Sequence, residues 1–380
     1  MLNPSIALLI SIVSILILIR IRLHASFSIF IGSLIVAILV LPMHSIPSTM
    51  LDSLFNYNTI RLMVIVASAL TLSHLMGEKG LLAKLANTLE SISPKFALHF
   101  IPAVIGLIPM PAGALISATA SRDLVQRTGL NPEQGTFINY WFRHIWEFSI
   151  PVYPSIIITS VVLSIPLFSV VKILSPMTAL AIILGAITSY WILRKIPNIK
   201  GKPTKNIALN LLKAAWPILL LAPFVLIGLE AMIAFPLILV LLILQQRAKL
   251  PELKTSFKYG LDPKIIFLLY AIMFFKITIE SSGTADILIS DMQSIGFPSM
   301  VILIALPMLM GLATGLAMTF AGVALPLLLP YIASGLDINS YSLLLVYVSG
   351  LMGVLLSPVH LCLILSAEYF KANLIKVYCY

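Results

Sequence analysis

The sequence predicts an all-α, polytopic membrane protein built from two inverted repeats, each containing a re-entrant hairpin and a broken transmembrane helix. Hydrophobic residues make up 60% of the chain, charged residues 10%, and the mean hydropathy is +1.07. A soluble domain carries about a quarter charged residues. The chain also nearly repeats itself about 205 residues on, where Gly80, Pro94, Pro102, Gly106, Gly129 and Pro154 line up with Gly283, Pro298, Pro307, Gly311, Gly335 and Pro358. Matched breaks in the apolar segments of two halves are the sequence mark of a site near the middle of the bilayer.

Runs of roughly 20 residues are needed to cross a hydrocarbon core of about 30 Å. Such runs occupy 4 to 20, 25 to 42, 60 to 77, 133 to 165, 168 to 193, 207 to 228, 230 to 247, 264 to 280 and 338 to 370, which predicts nine crossings. The first run has no basic segment before it and no small-residue cleavage site after it, so it is expected to span and not to act as a signal peptide. Two further apolar stretches, 94 to 128 and 297 to 334, are split by Gly, Pro and small residues. Their arms of about 15 residues reach only about 22 Å, so both are expected to be re-entrant hairpins, with tips at Pro109 to Gly113 and Ala313 to Met318. One repeat then covers 1–165, a connecting span and basic loop 166–204, and the second repeat 205–380.

The net charge of +10 would suggest nucleic acid in a soluble chain, but membrane topology accounts for it. With the N-terminus outside and the C-terminus cytoplasmic, 20 of the 24 basic residues face the cytoplasm; the exceptions are Arg61, Lys172, Arg143 and Lys276. No nucleic-acid partner is expected. The repeats are offset by an odd number of crossings, so the second is inverted, and the two hairpin tips approach from opposite sides. Cys362 and Cys379 have no partner at metal-site spacing, so neither a disulfide framework nor a zinc site is expected.

The broken spans 133 to 165 and 338 to 370 would each be about 50 Å long if continuous, longer than the bilayer core. Pro151 and Pro154 are expected to break the first and Pro358 the second, because an interior Pro removes a backbone bond and clashes with the preceding turn. Helices restarting after the tips and breaks present unpaired N–H groups, each terminus carrying roughly half a positive charge. The tip residues Pro109, Pro111, Gly113 and Gly315 and the hydroxyls of Ser117, Thr119, Ser155, Thr314, Thr319 and Ser357 lie there. The hydroxyls serve either as caps or as ligands for substrate or sodium.

The polar segment FINYWFRHIWEF, 137 to 148, lies inside the first broken span. Its spacing puts Arg143 and Glu147 on one helix face, with Asn139 a turn earlier and His144 alongside. Deep charges are costly and face a partner or an aqueous path. Two roles stay open: a buried ion pair that locks the helix, or a substrate contact by Arg143 with proton carriage by Glu147. His360, just after the second break, is a further candidate. Lys276 and Glu280 pair near a span end, and His74 and His99 suit packing roles. The equivalents of Arg143 and Glu147 in the second repeat are Val348 and Met352, so the site is expected to be asymmetric.

In layout the chain resembles the ion transporter superfamily, which includes carriers of citrate, dicarboxylates, gluconate, arsenite and sodium or protons. The segments PMPAGALISA (109–118), FINYWFRHIWE (137–147) and IPVYP (150–154) resemble an uncharacterised archaeal and bacterial branch of it. The tips read Pro-Ala-Gly and Ala-Thr-Gly where dicarboxylate carriers have Ser-Asn-Thr. The resemblance implies a homodimer and an elevator-type movement. The expected function is therefore secondary active transport of a small, organic anion across the plasma membrane, coupled to sodium or protons. A proton-linked exporter of a weak acid or metalloid is the alternative. HIWE has no second His at metal spacing and no nucleophile stands beside a base, so an enzyme is not expected, nor any cofactor beyond a coupling sodium ion.

Overall fold

A computed structural model describes residues 3–92, 94–107, 113–194, 206–226, 229–296, 298–334 and 337–380. In chain order the helices are α1 (Pro4–Arg20), α2 (Ala25–Val40), α3 (Ile46–Phe55), α4 (Tyr57–Glu78), α5 (Leu81–Ile92), α6 (Pro94–Gly106) and α7 (Gly113–Thr128). There follow α8 (Pro132–His144), α9 (Pro154–Val162), α10 (Leu167–Leu193), α11 (Ile207–Leu226), α12 (Ala231–Gln245), α13 (Leu250–Gly260) and α14 (Pro263–Ser282). The chain ends with α15 (Thr284–Ser294), α16 (Ser299–Thr314), α17 (Ala317–Thr319), α18 (Leu325–Ile332), α19 (Ser340–Leu356), α20 (Leu361–Phe370) and α21 (Leu374–Val377). Two-residue strands β1 (Ala333–Ser334) and β2 (Asp337–Ile338) pair antiparallel.

Among the described residues, four stretches are long and apolar enough to cross a membrane: Tyr57–Glu78, Leu167–Leu193, Leu250–Ser282 and Ser340–Phe370. Seven shorter apolar helices accompany them, as a multi-pass membrane protein requires. Helices lie along the expected spans, and α3 and α13 form in stretches where no span was expected. The arms α6 and α7, of 13 and 16 residues, are as short as expected.

Proline chemistry explains where the broken spans stop. Asn131 and Gln134 close a capping box over Pro132, which starts α8 sharply. The helix does not run on to Pro151 as expected. It ends at His144 and tightens into a 3-10 turn over Ile145–Phe148. Pro151 and Pro154 would clash with the carbonyls of Glu147 and Ile150, and each disfavours helical backbone in the residue before it, so the chain leaves the α conformation early. The second span breaks where expected: α19 ends at Leu356, Ser357 caps it, and α20 restarts at Leu361. After the second tip, the arm is interrupted by a π turn over Phe320–Ala324. Pro326, four residues beyond Gly322, cannot donate to its carbonyl, and the widened turn falls where that bond is missing.

By contacts the chain forms two units, neither of which is a sequence half. One comprises Met1–Ile65, Pro154–Ile173 and Leu261–His360; the other Val66–Tyr153, Leu174–Gly260 and Leu361–Tyr380. In the first, α2 packs on α1 and α14, Phe274 is fully buried among Ala37, Leu41 and Ile46, and a run of rings from Phe27 through Phe267 and Phe30 to Tyr270 flanks it. The second hairpin packs on α19, and α9 lies against α17 and the π turn. In the second unit, α6 packs on α5, α7 and α8, and α20 packs on α7 and α8. Each unit thus holds one hairpin, the first half of that hairpin's own broken span, and the second half of the other broken span.

The sequence repeat reappears as a packing repeat. A Cβ on Gly106 of α6 would overlap the carbonyl oxygen of Arg143 in α8, and one on Gly311 of α16 would overlap that of Gly350 in α19. Glycines at these equivalent positions let a hairpin arm lie backbone to backbone against its broken span. Gly106→Leu and Gly311→Leu are each expected to cost about 1–3 kcal/mol through overpacking, read as a lowered Tm of the detergent-solubilised protein. An unchanged Tm in both would show that the arms do not pack this closely.

Candidate functional site

A helix that ends inside apolar surroundings leaves four carbonyls to be satisfied. For α6 these belong to Ala103, Val104, Ile105 and Gly106. The backbone N–H of Leu107 reaches Ala103 and Val104 at 3.1 and 3.2 Å. The first broken span supplies the other donors: Trp146 Nε1 to Ala103 O at 2.7 Å, Arg143 Nη1 to Ile105 O at 3.4 Å, and the Tyr153 hydroxyl to Gly106 O. The segment that looked most like a substrate site is thus also the cap of the first hairpin arm.

Arg143 and His144 are 4% exposed and Glu147 is 7% exposed. The expected common helix face of Arg143 and Glu147 does not form, because α8 stops at His144 and Glu147 lies in the 3-10 turn. The Glu147 carboxylate instead stands 3.7 Å from His144 Nε2. His144 Nδ1 lies 2.6 Å from the carbonyl of Tyr140, which can only accept, so Nδ1 carries a proton. The Arg143 guanidinium hydrogen-bonds Cys362 and interacts electrostatically with Tyr153 and Glu147. The Sγ of Cys362 and a ring nitrogen of His144 are within 4.8 Å.

Asn139, 1% exposed, donates through Nδ2 to Ala114 O at 3.1 Å and to Ser366 Oγ at 2.8 Å, tying α8 to the start of α7 and to α20. Its Oδ1 is buried with no hydrogen-bond partner among the described residues. Gly113 and Ser117 are buried on the α7 face that includes Ala114, with Ser117 Oγ donating to Ala114 O at 3.1 Å. Thr119 is exposed and donates to Leu115 O in its own helix, so the structure leaves it outside this cluster. Pro109 and Pro111 lie outside the described residues. Pro151 is buried in the turn after Phe148.

In the other unit the remaining candidates gather at the second tip. Gly315, at φ +63°, closes α16 in the left-handed region that favours glycine. Thr314 Oγ1 lies 2.8 Å from Met310 O and 2.5 Å from Thr319 Oγ1, which lies 2.6 Å from Leu316 O, so two hydroxyl protons serve three contacts. Ser357 Oγ donates to Leu312 O, and His360 Nδ1 to Gly315 O, both at 2.6 Å. Here too the broken span supplies donors to the end of its hairpin arm. Pro358 is exposed in the break, and Pro154 is the buried first residue of α9. Ser155 pairs with the Tyr347 hydroxyl at 2.9 Å.

Sequence reasoning missed Cys362, Trp146, Tyr153 and Tyr347. The ring residues carried a usable signal, since a polar ring tip within an apolar span needs a hydrogen-bond partner. Cys362 carried none, because only folding brings it beside Arg143.

The fold is similar to that of the YdaH transporter of Alcanivorax borkumensis, a structure described as revealing an unusual topology. The TM-score is 0.59 at 14% identity, over 90% of this chain and 85% of that one. No curated protein is similar to the chain in sequence. Residues 3–379 match the family described as protein of unknown function (DUF401), and the chain belongs to that family.

Proposed function

We propose that the protein is a secondary active transporter of a small, organic anion, coupled to sodium or protons. It sits in the plasma membrane as a homodimer with nine crossings and two hairpins, N-terminus outside and C-terminus cytoplasmic. Its two inverted repeats move the hairpins and broken spans by an elevator-type displacement. One observation carries this proposal: a buried Arg143, ringed by polar side chains, where a hairpin arm ends within an apolar membrane chain. Such charges are costly unless used or paired, and a guanidinium has five N–H donors suited to a carboxylate. The fold shared with a transporter supports the same class.

Importing one negative charge against an inside-negative potential costs about 2.3 kcal/mol per 100 mV, so uptake needs a coupled cation. With Nδ1–H of His144 committed to Tyr140, the pair His144 Nε2 and Glu147 can hold one further proton between them. That favours protons over sodium, and it would equally serve a proton-linked exporter of a weak acid or metalloid.

In proteoliposomes, a screen of organic and inorganic anions under imposed sodium or proton gradients in both directions should find one that accumulates. The sign of the effective gradient separates uptake from export. Arg143→Gln should abolish transport and also lower stability by about 1–3 kcal/mol, because the Ile105 carbonyl loses its donor. Glu147→Gln should abolish coupling while leaving the Tm near that of the wild type. A folded protein that moves no anion under any gradient would sink the proposal.

In a Cys379→Ser background, Cys362 is the remaining thiol. A transported anion should slow its alkylation by a small maleimide several-fold, measured by mass spectrometry. Equal labelling with and without the anion would place the substrate away from Arg143.

A further inference from the structure

A second site lies on the face of the first broken span that carries Phe142, Ile145 and Trp146. These residues, with the outer face of α6 and the last turns of α10, line a cavity of about 620 Å³. That is within the usual range for ligand pockets, about 300–1,000 Å³, and its walls are overwhelmingly apolar, as in most such pockets. Its rim is open: Phe96, Phe100 and Tyr190 are 64%, 48% and 65% exposed.

The polar groups are few and unevenly placed. Lys95 starts α6 and Arg194 follows the last turn of α10, and folding brings both to this one cavity. The Arg194 guanidinium stacks 4.4 Å over the Trp191 ring, which holds it next to Tyr190. Exposed Tyr and Trp mark the headgroup level of a bilayer, and the charge pattern puts Lys95 and Arg194 on the cytoplasmic side. Two other lining residues, His99 and Ser189, have side-chain atoms (Nε2 and Oγ) that are buried with no hydrogen-bond partner among the described residues.

We propose that this cavity binds an anionic phospholipid. The phosphate is held between Lys95 and Arg194, the glycerol-ester oxygens lie at the level of His99 and Ser189, and an acyl chain runs between Phe100 and α10. Charge complementarity selects this occupant. A zwitterionic lipid gains less from two cations, and a second copy of the chain would have to bring an acidic group to an apolar groove. Basic pockets between helices on the cytoplasmic side are the known form of anionic-lipid sites.

The test uses full-length protein in mild detergent, titrated with dioleoylphosphatidylglycerol or dioleoylphosphatidylcholine in mixed micelles and followed by thermal unfolding. The anionic lipid should raise the Tm at a concentration roughly tenfold or more below that needed of the zwitterionic one, as expected of two cations acting together. Lys95→Gln with Arg194→Gln should remove that preference, whereas Lys258→Gln with Lys264→Gln, which lie outside the cavity, should keep it. Phosphatidylglycerol carrying a diazirine on an acyl chain should label residues 96–104 and 182–194. Ala186→Trp, which fills the groove and leaves both cations in place, should cut that labelling several-fold while the lipid-free Tm is retained. Equal stabilisation by the two lipids, an unchanged preference in the Lys95/Arg194 variant, or labelling elsewhere would overturn the proposal. So would a disulfide between two copies of a Phe100→Cys variant formed in lipid-containing membranes, since a second copy would then occupy the groove.

Discussion

The structure depends on one requirement: a helix that stops inside apolar surroundings must have its last carbonyls met by something other than water. At the end of α6 the donors come from Arg143, Trp146 and Tyr153. At the end of α16 they come from Ser357 and His360. In both places the donating side chains sit around the break in the neighbouring span, and in both a glycine lets the two backbones meet. Hairpin and broken span are therefore one device. The arm can stop short because the broken span finishes its hydrogen bonding, and the span is free to break because Pro prevents it from continuing.

Much of this was legible from residue types. The Gly and Pro repeat pointed to the short arms α6, α7 and α16 and to both breaks, since those residues act locally on the backbone. Residue type singled out Arg143, which the structure buries. What stayed illegible depended on contacts between distant segments. Helical spacing put Glu147 under Arg143, but Pro151 and Pro154 act backwards along the chain and end α8 before that face can form. Neither the approach of Cys362 to His144 nor the gathering of Lys95 and Arg194 around one cavity leaves a trace at short range. The polar partners of Trp146 and Tyr153 could have been sought from side-chain chemistry alone, although the carbonyls they reach could not have been named.

The two halves share their backbone devices and differ in their charges. Gly106 has its match in Gly311, and Pro154 in Pro358, whereas Arg143 and Glu147 face Val348 and Met352 in the alignment of halves. At the second tip the same capping is done by a serine hydroxyl and an imidazole. The cap itself therefore does not require a guanidinium. A charge retained at such depth, where a hydroxyl serves in the other copy, is hard to account for by capping alone.

The exchange of half-spans between the two contact units bears on how the chain is made. Synthesis proceeds from the N-terminus, and domains ordinarily fold in that order. Here the unit that begins at Val66 contains Leu361–Tyr380, and α20 is among the helices that pack on α7 and α8. The first half cannot close either unit when its last residue leaves the ribosome. The first hairpin and the polar segment after it must wait in the bilayer, with α20 still missing, until nearly the whole chain has been inserted.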